Sequence, residues 1–344
     1  MILKRVRLPL AKGSFAVYSD GSMKKLPWAP TSTQLFFSRN DQSDTRWGEF
    51  VNEGDPLSPS SPSRFGLWGY ADDEGIKLNG GRVGAKFAPE FIRRFFYRLT
   101  PPLNTERYFL SDYGDWHQGG SLGEQIQTIS LILAKKLALH PMITLGGGHD
   151  YGAVDGAGFL EWHRNAQQLQ KPLIINFDAH LDVRPTSKGL NSGTPFSWLL
   201  ENHPNGFEFI EVGIQKQCSS PHHHQWAKEQ GADILNLDYV QKIGLVAALR
   251  QRLAGTSPQQ PCFISIDIDV FSQPLAPGCS QSWDAGLQYL EVVEAIRWLV
   301  DHKKVHLLGI YEVSPPLDVD HRTSKLAACL VDDFIRHHFG SLNR

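Results

Sequence analysis

A pattern that occurs three times limits what this chain can fold into: a short apolar run that stops at a cluster of aspartate and histidine. In mid-chain, Pro172-Leu173-Ile174-Ile175 runs straight into Asn176-Phe177-Asp178-Ala179-His180-Leu181-Asp182. Upstream, Met142-Ile143-Thr144-Leu145 leads through Gly146-Gly147-Gly148 to His149-Asp150. Downstream, Cys262-Phe263-Ile264-Ser265-Ile266 leads to Asp267-Ile268-Asp269, with Val270-Phe271 beyond. Apolar runs of this length, bounded by turn residues, read as buried strands whose C-terminal ends release polar groups into loops.

Carboxylate oxygens and imidazole nitrogens at this density are the ligands of divalent metals. On an extended strand Asp267 and Asp269 point to one face. Two carboxylates about 4 Å apart repel by roughly 4 kcal/mol at an effective dielectric of about 20, so a buried pair calls for a cation. The triple glycine before His149 allows positive φ and close approach of backbone to a ligand. A single histidine after a glycine turn is more often a surface or capping residue. Three clusters at separate strand ends carry the argument, and His149, Asp178, His180, Asp182, Asp267 and Asp269 are expected to converge on metal.

The rest of the chain supplies the frame. Strands are expected at Phe65–Tyr70, Arg107–Leu110, Met142–Leu145, Leu173–Phe177, Phe207–Ile214, Ile234–Leu237, Phe263–Val270 and Val305–Tyr311. Helical spacing marks Ala88–Leu99, Gly123–Leu139, Pro221–Gln230, Leu245–Leu253, Tyr289–Asp301 and Thr323–His338. About eight strands alternating with helices imply a parallel sheet with helices on both faces. Sites in such sheets form beyond the carboxyl ends of the strands, where all three clusters lie. With 344 residues and 41% hydrophobic content the chain can bury one large core. Residues 1–63 read as an irregular extension packing on the body, broken by Gly54-Asp55-Pro56-Leu57-Ser58-Pro59, and 64–344 as a single catalytic domain.

A net charge of −2 leaves no basic footprint for nucleic acid. No apolar stretch approaches a membrane span, and Met1–Pro9 lacks a secretory core. Cys218, Cys262, Cys279 and Cys329 show no Cys-x-x-Cys spacing, so a reducing cytoplasm is expected. His222, His223 and His224 at a helix start are read as fanning into solvent. Gly80-Gly81-Arg82-Val83-Gly84 lacks the lysine and hydroxyl residue of a phosphate loop. Neither Ser192 nor Ser265 sits in a nucleophile elbow. Glu312, after the last strand, is placed to face a cationic substrate group.

These residues resemble the ureohydrolase superfamily of arginase, agmatinase and formimidoylglutamase. The resemblance rests on Gly146-Gly147-Gly148-His149-Asp150, Asp178-Ala179-His180-Leu181-Asp182, Ser265-Ile266-Asp267-Ile268-Asp269, Ala276-Pro277-Gly278 and Glu312-Val313-Ser314-Pro315. It extends upstream to Asp73-Glu74-Gly75 and Asn79–Arg93, and covers roughly residues 40 to 338. The resemblance implies a three-layer α/β/α sandwich around an eight-stranded parallel sheet, and two manganese ions. Three details are most similar to the formimidoylglutamase branch. An acid follows Gly-Gly-Gly-His where other branches have Gly-Gly-Asp-His-Ser. Ser192-Gly193-Thr194-Pro195-Phe196 stands where arginases carry a proton-shuttle histidine. Gly213-Ile214-Gln215 and the early Arg39–Arg46 stretch also match. Ser272-Gln273 and Gln281-Ser282-Trp283-Asp284 depart from the superfamily pattern, and the second is expected near the substrate pocket.

The resemblance implies one metal on His149, Asp178, Asp182 and Asp267, and the other on His180, Asp178, Asp267 and Asp269, with Asp178 and Asp267 bridging. It makes Asp182 the proton carrier and Glu312 the partner of an amidinium. Arg184, with Ser192, Gly193 and Thr194, would bind the rest of a small-molecule substrate. The implied reaction is hydrolysis of N-formimino-L-glutamate to glutamate and formamide. Hydrolysis of a guanidino compound with release of urea, and a metal-bound binding protein without activity, remain open at this point, as does assembly into a homo-oligomer.

Overall fold

The computed structural model describes residues 16–19, 22–25 and 27–342, apart from 62, 104 and 106–108. Met1–Pro9 and the first two residues, 107 and 108, of the strand expected at Arg107–Leu110 lie outside them. An antiparallel ribbon of β1 (Ala16–Ser19) and β2 (Ser22–Lys25) stands apart from the main sheet. The main sheet is built from β3 (Trp28–Ala29), β4 (Val51–Glu53), β5 (Phe65–Ala71), β6 (Leu110–His117), β7 (Met142–Leu145) and β8 (Leu173–Phe177). It continues with β9 (Glu208–Ile214), β10 (Ala232–Asn236), β11 (Pro261–Asp267) and β12 (Lys304–Tyr311). Eight strands run parallel in the order β10-β9-β8-β11-β12-β7-β5-β6. β3, antiparallel, and β4, parallel, both pair with β6, making ten strands in all.

The helices are α1 (Glu74–Leu78), α2 (Ala88–Phe96), α3 (Leu122–Leu137), α4 (Tyr151–Asn165) and α5 (Pro195–Asn202). After them come α6 (Pro221–Glu229), α7 (Leu237–Ile243), α8 (Leu245–Arg252), α9 (Tyr289–His302) and α10 (Arg322–Leu342). Alternating strand residues divide between two apolar layers. Ile175, Phe177, Ile264, Ile266 and Ile310 pack on one face with α2 and α7–α10. Ile174, Phe263, Leu307 and Met142 pack on the other with α3–α6. The α/β/α sandwich around eight parallel strands is therefore present, and the central strands are apolar throughout because both faces are covered. No helix among the described residues is long and apolar enough to cross a membrane.

Three departures from the sequence reading have physical causes. The segment before residue 64 is not wholly irregular, because β3 and β4 extend the sheet, and the buried Trp47 donates its indole N–H to Asp332 on α10 at 2.6 Å. β6 looks too polar for a buried strand, with Ser111, Asp112 and Asp115. Arg93 of α2, fully buried, neutralises it: its Nε lies 2.8 Å from Asp112 Oδ2 and its Nη1 2.6 Å from Asp115 Oδ1. α4 was hidden by its glycines at 152, 156 and 158, which lower helix propensity. Those glycines serve packing, since a side-chain carbon at Gly158 would press within 2.9 Å of Leu133 and the Ser130 carbonyl on α3.

Candidate metal centre

Four neighbouring strands, β8, β11, β12 and β7, deliver the site from their C-terminal ends. β7 passes through Gly146–Gly148 to His149; β8 leads to Asp178, His180 and Asp182; β11 ends at Asp267, and β12 leads to Glu312. None of the three glycines has positive φ. Their use is close approach: a side chain at Gly147 would collide with the Asp72 carbonyl, and one at Gly146 with Tyr311. Asp267 and Asp269 do not share a strand, because β11 stops at Asp267 and a 3-10 turn, Ile268–Val270, follows. The Asp269 N–H donates to Asp267 Oδ1 at 2.9 Å, so the turn itself holds the two carboxylates in one place. Asp182 (φ 48°) and Glu312 (φ 65°) both occupy the left-handed region, a conformation costly for residues with a Cβ and concentrated at functional sites.

At the centre His149, with no exposed surface, sets its Nδ1 3.1 Å from Asp178 Oδ2, 3.0 Å from Asp182 Oδ2 and 3.2 Å from Asp267 Oδ2. It is hydrogen-bonded to none of them, although a buried polar atom ordinarily finds a partner. Three oxygens and one nitrogen converging in this way is an arrangement suited to ligands of one metal ion. His149 Nε2 lies 2.9 Å from Ser265 Oγ, the outer hydrogen bond that fixes a ligand imidazole. A second group forms beside the first, with His180 Nδ1 2.9 Å from Asp269 Oδ2 and 3.5 Å from Asp178 Oδ1. His149, Asp178, Asp182 and Asp267 could hold one ion, and Asp178, His180 and Asp269 another. The two oxygens of Asp178 face the two histidines separately, so this carboxylate is common to both groups. Asp267, expected to bridge as well, turns Oδ2 towards His149 and Oδ1 towards the Asp269 turn.

The electrostatics show what a cation would relieve. Burial, then the charges of Asp269 and Asp178, pushes Asp267 up to about 8. Burial likewise raises Asp182 and Asp269 to about 6, with Asp178 adding to both. Burial works to lower the two histidines, but contact with the carboxylates outweighs it and holds both well above the usual value. Asp178 moves the other way: burial is outweighed by His149 and His180, and its pKa is lowered. An oxygen-rich donor set with two imidazoles suits a hard divalent ion such as manganese. The residues fit a pair of such ions.

Beneath the cluster, Tyr311 stacks on His149 with ring centroids 4.8 Å apart. Its hydroxyl and that of Tyr70 donate to the buried Asp155, which also accepts from Thr144 Oγ1 at 2.5 Å. Asn176 Nδ2 links the site to Glu211, 2.9 Å from Glu211 Oε2 and 3.3 Å from Asp178 Oδ2. None of these supports has a local sequence signal, since each depends on strands distant in the chain.

Above it opens a cavity of about 450 Å³, with Asp182, Asp267, Asp269 and Glu312 on its walls. Glu312 Oε1 accepts the His149 N–H at 3.0 Å, and burial, then the charge of Asp267, holds its carboxyl well above the usual range. Arg184 lines the cavity and is exposed; among the described residues its guanidinium has no ion pair. Ser192 also lines it and accepts from Asn79 Nδ2 at 3.1 Å. Gly193 and Thr194, expected beside them, are not on the wall. Gly193 packs behind Arg184, and Thr194, 1% exposed, spends its hydroxyl on the Asn191 carbonyl at 2.8 Å ahead of α5. Sequence reasoning missed Asn79, Gly80 and Gly81 after α1, and Gln217, Cys218 and His223 on the way into α6. Gln281 and Trp283, from the loop that departs from the superfamily pattern, do line the cavity.

Residues 64–336 match the sequence profile of the arginase family. A formimidoylglutamase of Staphylococcus aureus is 33% identical over 284 residues, covering 80% of this chain and 87% of the relative. One of Clostridium tetani is 31% identical over 327 residues, covering 90% and 96%. Among solved structures, Trypanosoma cruzi formiminoglutamase with Mn2+2 superposes with a TM-score of 0.69 at 27% identity, over 83% of this chain and 98% of that one. The formimidoylglutamase of Bacillus subtilis gives 0.74 at 25% identity, over 88% and 94%.

Proposed function

The chain belongs to the arginase family, and on that premise we propose that it hydrolyses N-formimino-L-glutamate to L-glutamate and formamide with two Mn2+ ions. The observation that carries this is the orphaned Nδ1 of His149 among three carboxylates, at the floor of a cavity whose wall carries the unpaired Arg184. His149, Asp178, Asp182 and Asp267 would hold one ion and Asp178, His180 and Asp269 the other, with Asp178 shared. When bound, the pair lowers the pKa of water from 15.7 towards about 7 and so supplies a nucleophile at neutral pH.

The chain's own residues do the rest. Glu312, with one oxygen fixed by the His149 N–H, offers the other to the amidinium and orients its carbon over the floor. Asp182, on the cavity wall in a left-handed turn, takes a proton from the attacking water and delivers it to the departing amine of glutamate. Arg184 pairs with a substrate carboxylate, for which a planar guanidinium is suited. Ser192, steadied by Asn79, borders the same space.

The same proposal puts the enzyme in the cytoplasm, in keeping with four free cysteines. It includes self-assembly of the chain and, from the net charge of −2, no dealings with nucleic acid. Turnover of N-formimino-L-glutamate, agmatine, arginine and 4-guanidinobutyrate with manganese tests it. Formamide from the first and no urea from the others is expected. Urea from a guanidino substrate at higher kcat/KM would overturn the reading, and no turnover of any would favour a binding protein.

A further inference from the structure

Three consecutive histidines open α6, and the structure separates them. Ser220 caps the helix, its Oγ accepting the His223 backbone N–H at 3.1 Å. His223 is half-buried and lines the cavity; His222 is exposed, and neither it nor His224 reaches the wall. The expectation of a solvated row therefore holds for only part of it. Among the described residues the His223 ring has no hydrogen bond or ion pair, which is also true of the Arg184 guanidinium on the same wall. Arg184 comes from the loop after β8 and His223 from the start of α6.

The two side chains feel each other. After burial, the positive charge of Arg184 is the largest influence lowering the His223 pKa. Two N–H donors, a guanidinium and a neutral imidazole, share a wall with no protein carboxylate bonded to either among the described residues, and so form a gap that an anion fills. The first turn of α6 adds to this, since a helix N-terminus favours negative charge. The carboxylates of Asp182, Asp267 and Asp269 lie elsewhere on the cavity surface, close around His149 and His180.

We propose that His223 is a specificity residue that binds the side-chain carboxylate of a dicarboxylic substrate, while Arg184 binds the carboxylate nearer the amidine. The division follows from chain position. Arg184 stands two residues from Asp182 on the floor, so its reach is tied to the reacting carbon. His223 stands in the next strand-to-helix connection, beyond Cys218 and Ser219 on the same wall. The inference deepens the formiminoglutamate reading and rests on it. It implies selection against substrates that carry a single carboxylate.

The test compares N-formimino-L-glutamate with N-formimino-L-norvaline, which keeps the α-carboxylate and chain length but has a methyl in place of the far carboxylate. His223→Ala should raise KM for the glutamate derivative roughly tenfold or more, the range of a lost hydrogen bond to a charged group. Its kcat, its manganese content and its KM for the norvaline derivative should not change. His223→Gln, which keeps an N–H donor, should recover part of the loss. Arg184→Ala should raise KM for both substrates. His222→Ala with His224→Ala should alter neither. An equal change with both substrates in His223→Ala, or none with either, overturns the assignment of His223 while leaving the function intact. A wild-type enzyme that ignores formiminoglutamate overturns both.

Discussion

Among the described residues Asp178 is the one carboxylate that faces both histidines, through different oxygens. Asp178→Asn removes charge from both proposed ion sites at once, whereas Asp269→Asn touches one. Metal analysis after dialysis should find neither ion retained in the first variant and one in the second; two firmly held ions in Asp178→Asn would contradict the shared-ligand geometry. Among the described residues the Arg184 guanidinium has no protein partner to lose, so Arg184→Ala should leave folding and metal content alone. It should raise KM for formiminoglutamate about ten- to a hundredfold, as expected for a charge-assisted contact worth roughly 1.5–3 kcal/mol. Improved use of agmatine by this variant would point to a guanidino substrate instead. The proposed ligands were legible in the sequence because each follows its strand within a few residues, where chain position and spatial position coincide. His223 and Asn79 were not, because whether a loop residue faces a cavity depends on capping and neighbouring loops. Thr194 shows the converse: two residues from Ser192, it faces the other way, tied to Asn191.

Elements were legible where burial is uniform. β7 and β8 have the bounds expected of them, Met142–Leu145 and Leu173–Phe177, while β6 went unrecognised beyond its first residue because its acids are paired with Arg93 from another element. That pairing fixes β6 against α2, and through β6 the two added strands β3 and β4. Arg93→Ala would leave Asp112 buried and without its cation. Removing one partner of a buried pair costs about 3–5 kcal/mol, and urea unfolding should show a loss of that order. A loss under about 1 kcal/mol would mean that water or rearranged strands satisfy Asp112. α4 went unread for a different reason, since its glycines argue against a helix locally and are justified only by α3 and α5 lying against them.

At the scale of the molecule the metal centre is a store of repulsion. Asp182 and Asp269 at about 6 and Asp267 at about 8 stand above the unfolded value of 3.8, so the metal-free fold holds more protons than the unfolded chain between about pH 4 and 8. The raised histidines have the same sign above their unfolded value, and their contribution fades as pH rises. Metal-free protein should therefore lose stability on going from pH 5 to pH 8. Manganese, which displaces those protons, should restore more at pH 8 than at pH 6. Thermal unfolding with and without chelator reads the difference; a gap that narrows as pH rises would refute it.

The strand order carries a consequence for timing. β5, β6 and β7 are made early and β8, β9 and β10 next, yet these two groups never touch in the finished sheet. β11 and β12, made last, slide between β8 and β7 and join them. A ribosome that has reached residue 260 has thus delivered two unjoined half-sheets, with His149 on one and Asp178 on the other. The proposed ligands lie on both sides of that suture and on β11, so the nascent chain has no complete set of them until β11 and β12 join the halves.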